Sequence, residues 1–287
     1  MPVFAKLEYR SGVEPLGLLS WRFVIAALAL WAVVAVRRRS TADGAVLPPR
    51  RRALGTVALG GLLLAGEVVL YFFGLRLIGA GLAEVLLFLF PAWVVVLTSI
   101  RTRVRPSTLV IVCTLIAVAG AGLCIGGSIG AAGGAESVAG VRSSLLAGAA
   151  LAVGASISYA FYVVLADARV AADGPLATTT LVITGAAVSL TLAAALTQSR
   201  GPHTRTEVLL AVGIALVSTV AAFGLLSAGL ALLPVSHAAV IATSEPVLAV
   251  ILGAVLLGEA VGVWQAVGIV LVVLAIGTIL WRDGKAL

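Results

Sequence analysis

The chain has 287 residues, of which 61% are hydrophobic and 11% are charged, and its mean hydropathy is +1.19. These values exclude a water-soluble globular fold. Lys and Arg number 19 against 12 Asp and Glu, a formal net charge of +7. Because the arginines cluster in short breaks between apolar runs, no soluble basic region is left to bind nucleic acid.

Apolar runs of about 20 residues, the length of a helix that crosses a bilayer, recur almost end to end. Residues 1–10 are too short to cross and carry three charges, so we interpret them as the end of an incomplete helix. The predicted fold is an all-α polytopic membrane bundle with nine full transmembrane helices and this partial one. The nine predicted spans are residues 16–36, 53–73, 80–100, 107–125, 145–164, 178–196, 208–230, 238–257 and 261–281.

The positive charges predict the orientation of the chain. Arginine clusters at 37–39, 50–52 and 101–105 fall on one side of the predicted spans, and such clusters favour the cytoplasmic side. The same alternation places Arg282 and Lys285 inside, so we expect a multi-pass inner-membrane protein with a cytoplasmic C-terminus. Scattered arginines on the opposite side, Arg142, Arg200 and Arg205, weigh less than clusters of three.

The sequence contains an internal repeat. A shift of 160 residues places Pro15 on Pro175, and a shift of 155 places Pro91 on Pro246 together with several Gly, Leu and Ala residues. Common apolar residues match by chance easily, but the mid-span prolines favour a real repeat. We therefore predict two repeats, residues 1–125 and 144–287, joined by the Gly- and Ala-rich connection 126–143. Since the repeats are offset by five spans, an odd number, the second is expected to be inverted.

Three stretches carry a family resemblance: VEPLGLLSWRF, YFFGLRLIGAGLAEVLLFLFPAWVVVL and LLSAGLALLPVSHAAVIATSEPVLAVILGAVLLGEA with the span that follows it. Together they resemble the two EamA-type repeats of the drug/metabolite transporter superfamily over nearly the whole chain. The resemblance implies ten helices in two inverted halves, both termini cytoplasmic, and transport of small metabolites such as amino acids. It also implies a structural or functional role for Arg22, which matches the arginine after the proline of the family's second helix.

The start of the sequence departs from that pattern, because most of the first helix is missing. A start codon chosen too late, a truncated chain and a working protein with nine spans are three explanations of this departure.

Two glutamates lie in mid-span, Glu67 and Glu245. An ionisable group in the hydrocarbon region costs several kcal/mol unless it meets water or a partner. We expect both to line a water-filled central cavity, to bind substrate and to couple transport to protons; the alternative is neutral polar contact between helices. Arg22 and Glu84 lie nearer the outer surface, where an interfacial anchor or a mutual ion pair competes with substrate contact.

Mid-span prolines are the second indication of a site. Pro91 and Pro246 each remove a backbone hydrogen bond and crowd the carbonyl four residues earlier, and interrupted helices at matching repeat positions indicate a midplane binding site. The alternative is that they only bend their helices. Tyr71 shares a helix face with Glu67 and completes the predicted substrate-binding set.

Other residues have expected structural roles. Tyr159 and Tyr162 are candidates for a pocket wall or an interfacial belt. Close helix packing is expected at Gly120, Gly122, Gly148, Ala152 and Gly268.

These residues predict a secondary transporter, expected to export small polar metabolites such as amino acids by alternating access. Its partners are a small-molecule substrate, the lipid bilayer and protons as a candidate coupling ion. The alternative is a non-transporting or defective membrane protein that serves as an assembly partner. No HExxH, GxSxG or acidic metal cluster indicates an enzyme, and neither a cofactor nor a metal site is predicted, since Cys113 and Cys124 form no ligand pattern.

Overall fold

The computed structural model describes residues 14–40, 47–132, 142–257 and 260–283, and within these ranges it is helical without β-strands. Nine helices of the described residues are long and apolar enough to cross a membrane, which confirms the predicted polytopic all-α bundle. The predicted partial helix 1–10, Lys285 and residues 133–141 of the connection 126–143 lie outside the described residues. The helices are α1 (Pro15–Ser40), α2 (Arg50–Ile78), α3 (Ala80–Leu87 and Phe90–Thr102), α4 (Thr108–Ala132), α5 (Arg142–Asp173), α6 (Pro175–Leu196), α7 (Arg205–Leu230), α8 (Val235–Ala242 and Ser244–Leu257) and α9 (Val263–Asp283).

Local sequence explains several helix ends. Pro15 and Pro175 are the first residues of α1 and α6, where the missing N–H costs nothing. Thr204 caps α7 by accepting from the N–H of Glu207, whose carboxylate accepts from the N–H of Thr204 in return. Helix α4 continues to Ala132, beyond its predicted end at 125, because no proline or charge interrupts the Gly and Ala residues there.

The helices form two compact units. Unit 1 contains Met1–Gly66 and Leu165–Leu233. In it α1 packs on α6, where the indole N–H of Trp31 donates to Thr184 Oγ1 over 3.0 Å. Near the beginning of α2, Arg52 forms a 2.7 Å ion pair with the buried carboxylate of Asp173.

Unit 2 contains Glu67–Val164 and Pro234–Leu287. Its most extensive helix pair is α4 with α9, which meet at Gly120 and Gly268: a Cβ on Gly120 would lie 2.8 Å from the carbonyl oxygen of Gly268. A second close approach joins α2 to α5, where a Cβ on Gly74 would lie 3.0 Å from the carbonyl oxygen of Gly148. Small residues therefore let these backbones touch.

The interruptions of the helices follow the repeat. A π-helical turn lies in α2 at Gly60–Leu64 and another in α7 at Leu216–Ala221, and these turns are separated by about the 155-residue shift. The first segment of α3 ends at Leu87 and that of α8 ends at Ala242, which this shift superimposes. Each unit combines helices from both predicted repeats, and the repeat boundaries at 125 and 144 remain predictions.

Candidate functional site

Helices α3 and α8 are interrupted where the sequence predicts kinks. The first segment of α3 ends four residues before Pro91, and that of α8 ends four residues before Pro246. Proline removes its own N–H and pushes away the carbonyl four residues earlier, so each helix breaks at that carbonyl. At the α8 break, the buried Thr243 hydroxyl donates to the carbonyl oxygen of Val240 over 2.6 Å. Both prolines are themselves buried.

The two breaks carry different side chains on a matching backbone. The 155-residue shift places Phe88, Leu89 and Phe90 on Thr243, Ser244 and Glu245. The α3 break therefore offers aromatic and aliphatic groups, whereas the α8 break offers two hydroxyls and a carboxylate.

Three carboxyl groups lie in unit 2. Glu67 on α2 is 9% exposed, Glu84 on α3 is half-buried, and Glu245 is exposed in the first turn of the second α8 segment. All three lie within membrane-length helices. The grouping of Glu67 with Glu245 around one site stays a prediction.

Three aromatic rings pack together in the same unit. The Phe90 ring packs edge-on against Tyr159, with centroids 4.9 Å apart, and Tyr159 lies 5.7 Å from the ring of Tyr162. Phe90 and Tyr162 are 5% and 2% exposed. These rings therefore join the second segment of α3 to α5.

Tyr71 follows Glu67 by four residues, one turn along α2, as the sequence predicts. It is half-buried, and its ring meets that of Phe72 in a T-shaped contact with centroids 5.6 Å apart.

Arg22 belongs to unit 1, whereas the other predicted site residues belong to unit 2. Its guanidinium is 8% exposed. Nε donates to Thr219 Oγ1 over 2.6 Å, and Nη2 donates to the carbonyl oxygen of Ser218 over 3.1 Å. Both acceptors lie in the π-helical turn of α7, so these two bonds hold α1 against a weakened segment of α7.

The sequence contains little indication that Phe90 and Tyr159 belong to the candidate site. Phe90 was not singled out, although it precedes Pro91 and occupies the repeat position of Glu245. Tyr159 was one of several aromatic candidates in its span, and its distance in sequence from Phe90 concealed their contact.

Nine apolar membrane-length helices, matched interruptions and carboxyl groups inside the spans define a polytopic helical membrane protein. The EamA-like transporter family matches residues 1–126 and 146–281. The chain belongs to this EamA-like transporter family and is a membrane transporter.

Similar proteins agree with this assignment. A protein of Bacillus subtilis (strain 168), described as "Uncharacterized transporter YcbK", is 27% identical over 273 residues, which cover 93% of this chain and 83% of that protein. A solved structure described as "Crystal structure of protein" is similar with a TM-score of 0.74 at 19% identity, covering 92% of this chain and 86% of the other. The latter similarity concerns the fold alone.

Proposed function

We propose that this protein is a secondary transporter that exports small polar metabolites, such as amino acids, across the inner membrane by alternating access. The observation that carries the proposal is the presence of three carboxyl groups, Glu67, Glu84 and Glu245, within membrane-length helices of unit 2. Carboxyl groups at this depth are costly to retain unless they face water, substrate or a partner.

Protons are the proposed coupling ion. A carboxyl group in a membrane cavity changes its protonation when the cavity opens to one side or the other, because its surroundings change. Glu67 and Glu245 are the proposed proton-binding residues, since both lie within membrane-length helices. Substrate and proton then compete for the same carboxylates.

The side chains favour a substrate with an amino group next to an apolar part. Carboxylates attract an ammonium group, and the rings of Phe90, Tyr159 and Tyr162 provide an apolar wall and a π-face for a cation. We assign Glu67, Tyr71 and Glu245 to substrate contact. Pro91 and Pro246 are proposed to shape the site through the helix breaks. Arg22 binds Thr219 and Ser218 within unit 1, and its predicted substrate contact stays a proposal.

Alternating access is supported by the repeat. Prolines, helix breaks and π-helical turns recur at nearly constant spacing, and a repeat offset of five spans implies inversion. Inverted repeats allow inward- and outward-open forms to be built from the same two folds. Arg37, Arg38 and Arg39 end α1, which supports the proposed cytoplasmic location of that end of α1 and of the C-terminus.

The test is transport by the purified full chain in proteoliposomes with a proton-sensitive dye inside. A panel of labelled amino acids and small amines is screened for flux under an imposed pH gradient. We expect substrate flux to be accompanied by proton movement in the wild type. Glu67→Gln and Glu245→Gln should each lower proton-coupled flux at least about tenfold and should also weaken substrate exchange between the two sides, because the same carboxylates are proposed to bind substrate and proton.

Glu14→Gln is the matched control, because Glu14 is an exposed carboxylate before α1 and lies in unit 1. It should transport as the wild type does. Unchanged flux and unchanged proton movement in both Glu67→Gln and Glu245→Gln would remove these residues from the mechanism.

A further inference from the structure

A small cavity with apolar and polar lining residues lies in unit 2, and none of the three glutamates of that unit lines it. It measures about 170 Å³ and lies where α3 ends, α4 begins and α8 begins. Its polar lining consists of Thr98, Ser99, Thr102, Arg105, Ser107 and Ser236. Drug-sized ligands need roughly 300 Å³ or more, so a cavity of this size suits a small ion.

The hydroxyl groups divide into two kinds. Ser99 and Thr102 donate to the carbonyl oxygens of Val95 and Thr98, in the last turns of α3. Ser107 instead accepts from the N–H of Val110, which leaves its O–H to donate into the cavity. The carbonyl oxygens of Val95 and Thr98 are therefore already bonded to side-chain hydroxyls, whereas the Ser107 hydroxyl still has a hydrogen to donate.

The Thr98 hydroxyl is a candidate hydrogen-bond donor to a ligand in this cavity. Its Oγ1 is buried and has no hydrogen-bond partner among the described residues, although it lines the cavity. A buried hydroxyl without a partner costs about 1–3 kcal/mol, and an acceptor in the cavity removes that cost.

The charges of the lining favour an anion. Arg105 supplies a permanent positive charge. The first turns of α4 and α8, at Ser107 and Ser236, point their free N–H groups and the positive ends of two helix dipoles toward this region. The lining contains no carboxylate.

We propose that this cavity binds a small phosphate oxyanion, held by Arg105 and by the hydroxyls of Thr98, Ser107 and Ser236. The arginines of the 101–105 loop place it on the cytoplasmic side. The phosphate comes from solution or from the headgroup of an anionic lipid. None of the residues proposed for substrate binding lines the cavity, so this site is independent of the transport proposal.

Two binding measurements on the full chain distinguish the sources. In detergent, ³¹P NMR measures binding of inorganic phosphate against chloride at equal ionic strength. In nanodiscs, native mass spectrometry compares retained phosphatidylglycerol with retained phosphatidylcholine. We expect saturable binding in at least one measurement, and Arg105→Gln should weaken it about 10- to 100-fold.

Arg103→Gln is the matched control, because it removes one charge from the same loop without lining the cavity. Its binding should stay within about twofold of the wild type. Thr98→Val is a second variant that retains the side-chain shape: it should weaken binding while leaving thermal stability unchanged or higher, since it removes an unsatisfied hydroxyl.

Saturable phosphate binding lost in Arg105→Gln supports a soluble oxyanion, and selective retention of phosphatidylglycerol lost in that variant supports a headgroup. Absence of both kinds of binding in the wild type overturns the proposal. Equal weakening by Arg103→Gln and Arg105→Gln also overturns it, because a diffuse charge effect then explains the binding.

Discussion

Replacement of Gly268 by alanine tests the contact between α4 and α9. The new Cβ would lie 2.5 Å from the carbonyl oxygen of Gly120, 2.8 Å from Cys124 Sγ and 2.9 Å from the Cys124 nitrogen. Two of these atoms belong to the backbone, so no rotation of a side chain removes the clash. Overpacking of this kind costs about 1–3 kcal/mol, and the better helix propensity of alanine returns at most about 1 kcal/mol.

Gly277→Ala provides the control on the same helix. No atom lies within 4 Å of the Cβ position at Gly277, so this variant should be neutral or up to about 1 kcal/mol more stable. The assay is unfolding in detergent, followed by circular dichroism and tryptophan fluorescence. We expect Gly268→Ala to unfold first, with a free energy of unfolding lower by about 1–2 kcal/mol. Equal stability of the two variants would refute the close packing of α4 on α9.

Two further predictions concern hydrogen bonds. Arg22→Lys keeps the charge, but its single ammonium group cannot reproduce the fork that binds Thr219 and Ser218; we expect a loss of about 1.5–3 kcal/mol in thermal unfolding. Combined with Thr219→Val, the losses should be less than additive, and strict additivity would contradict the contact. Thr204→Ala removes the cap of α7 and should cost about 1 kcal/mol, whereas Thr204→Ser should retain most of the stability.

Features that depend on local sequence were predictable. Apolar length gives the nine spans, and Pro91 and Pro246 predict the breaks at Leu87 and Ala242 because a proline acts on the carbonyl four residues earlier. Gly120 and Gly268 were expected at close helix contacts, and the structure confirms this contact. Gly122 differs, since its nearest neighbour would be the Val85 side chain at 3.9 Å, an ordinary packing distance.

Features that depend on which helices meet were not predictable. Lipid tails are as apolar as leucine, so a transmembrane helix has little hydrophobic preference for one face, and periodicity carries little information about its neighbours. Arg22 shows the difficulty, because its partner Thr219 is 197 residues away. The π-helical turns of α2 and α7 likewise contain no proline that marks them.

At the matched breaks of α3 and α8, the two repeats share an interruption of the backbone but differ in their side chains. Each break removes helical hydrogen bonds in a membrane, where unpaired backbone groups are expensive, yet both copies keep the break at the same register. The side chains at the two breaks differ: Phe90 of the first repeat packs on Tyr159, while its counterpart in the second repeat is the carboxylate of Glu245. The backbone discontinuity is therefore the property that the two copies share, and the side chains are where they differ. In the proposed transporter, a substrate bound at these breaks would meet an aromatic ring from one repeat and a carboxylate from the other, which is the combination expected to bind an amino group on an apolar skeleton.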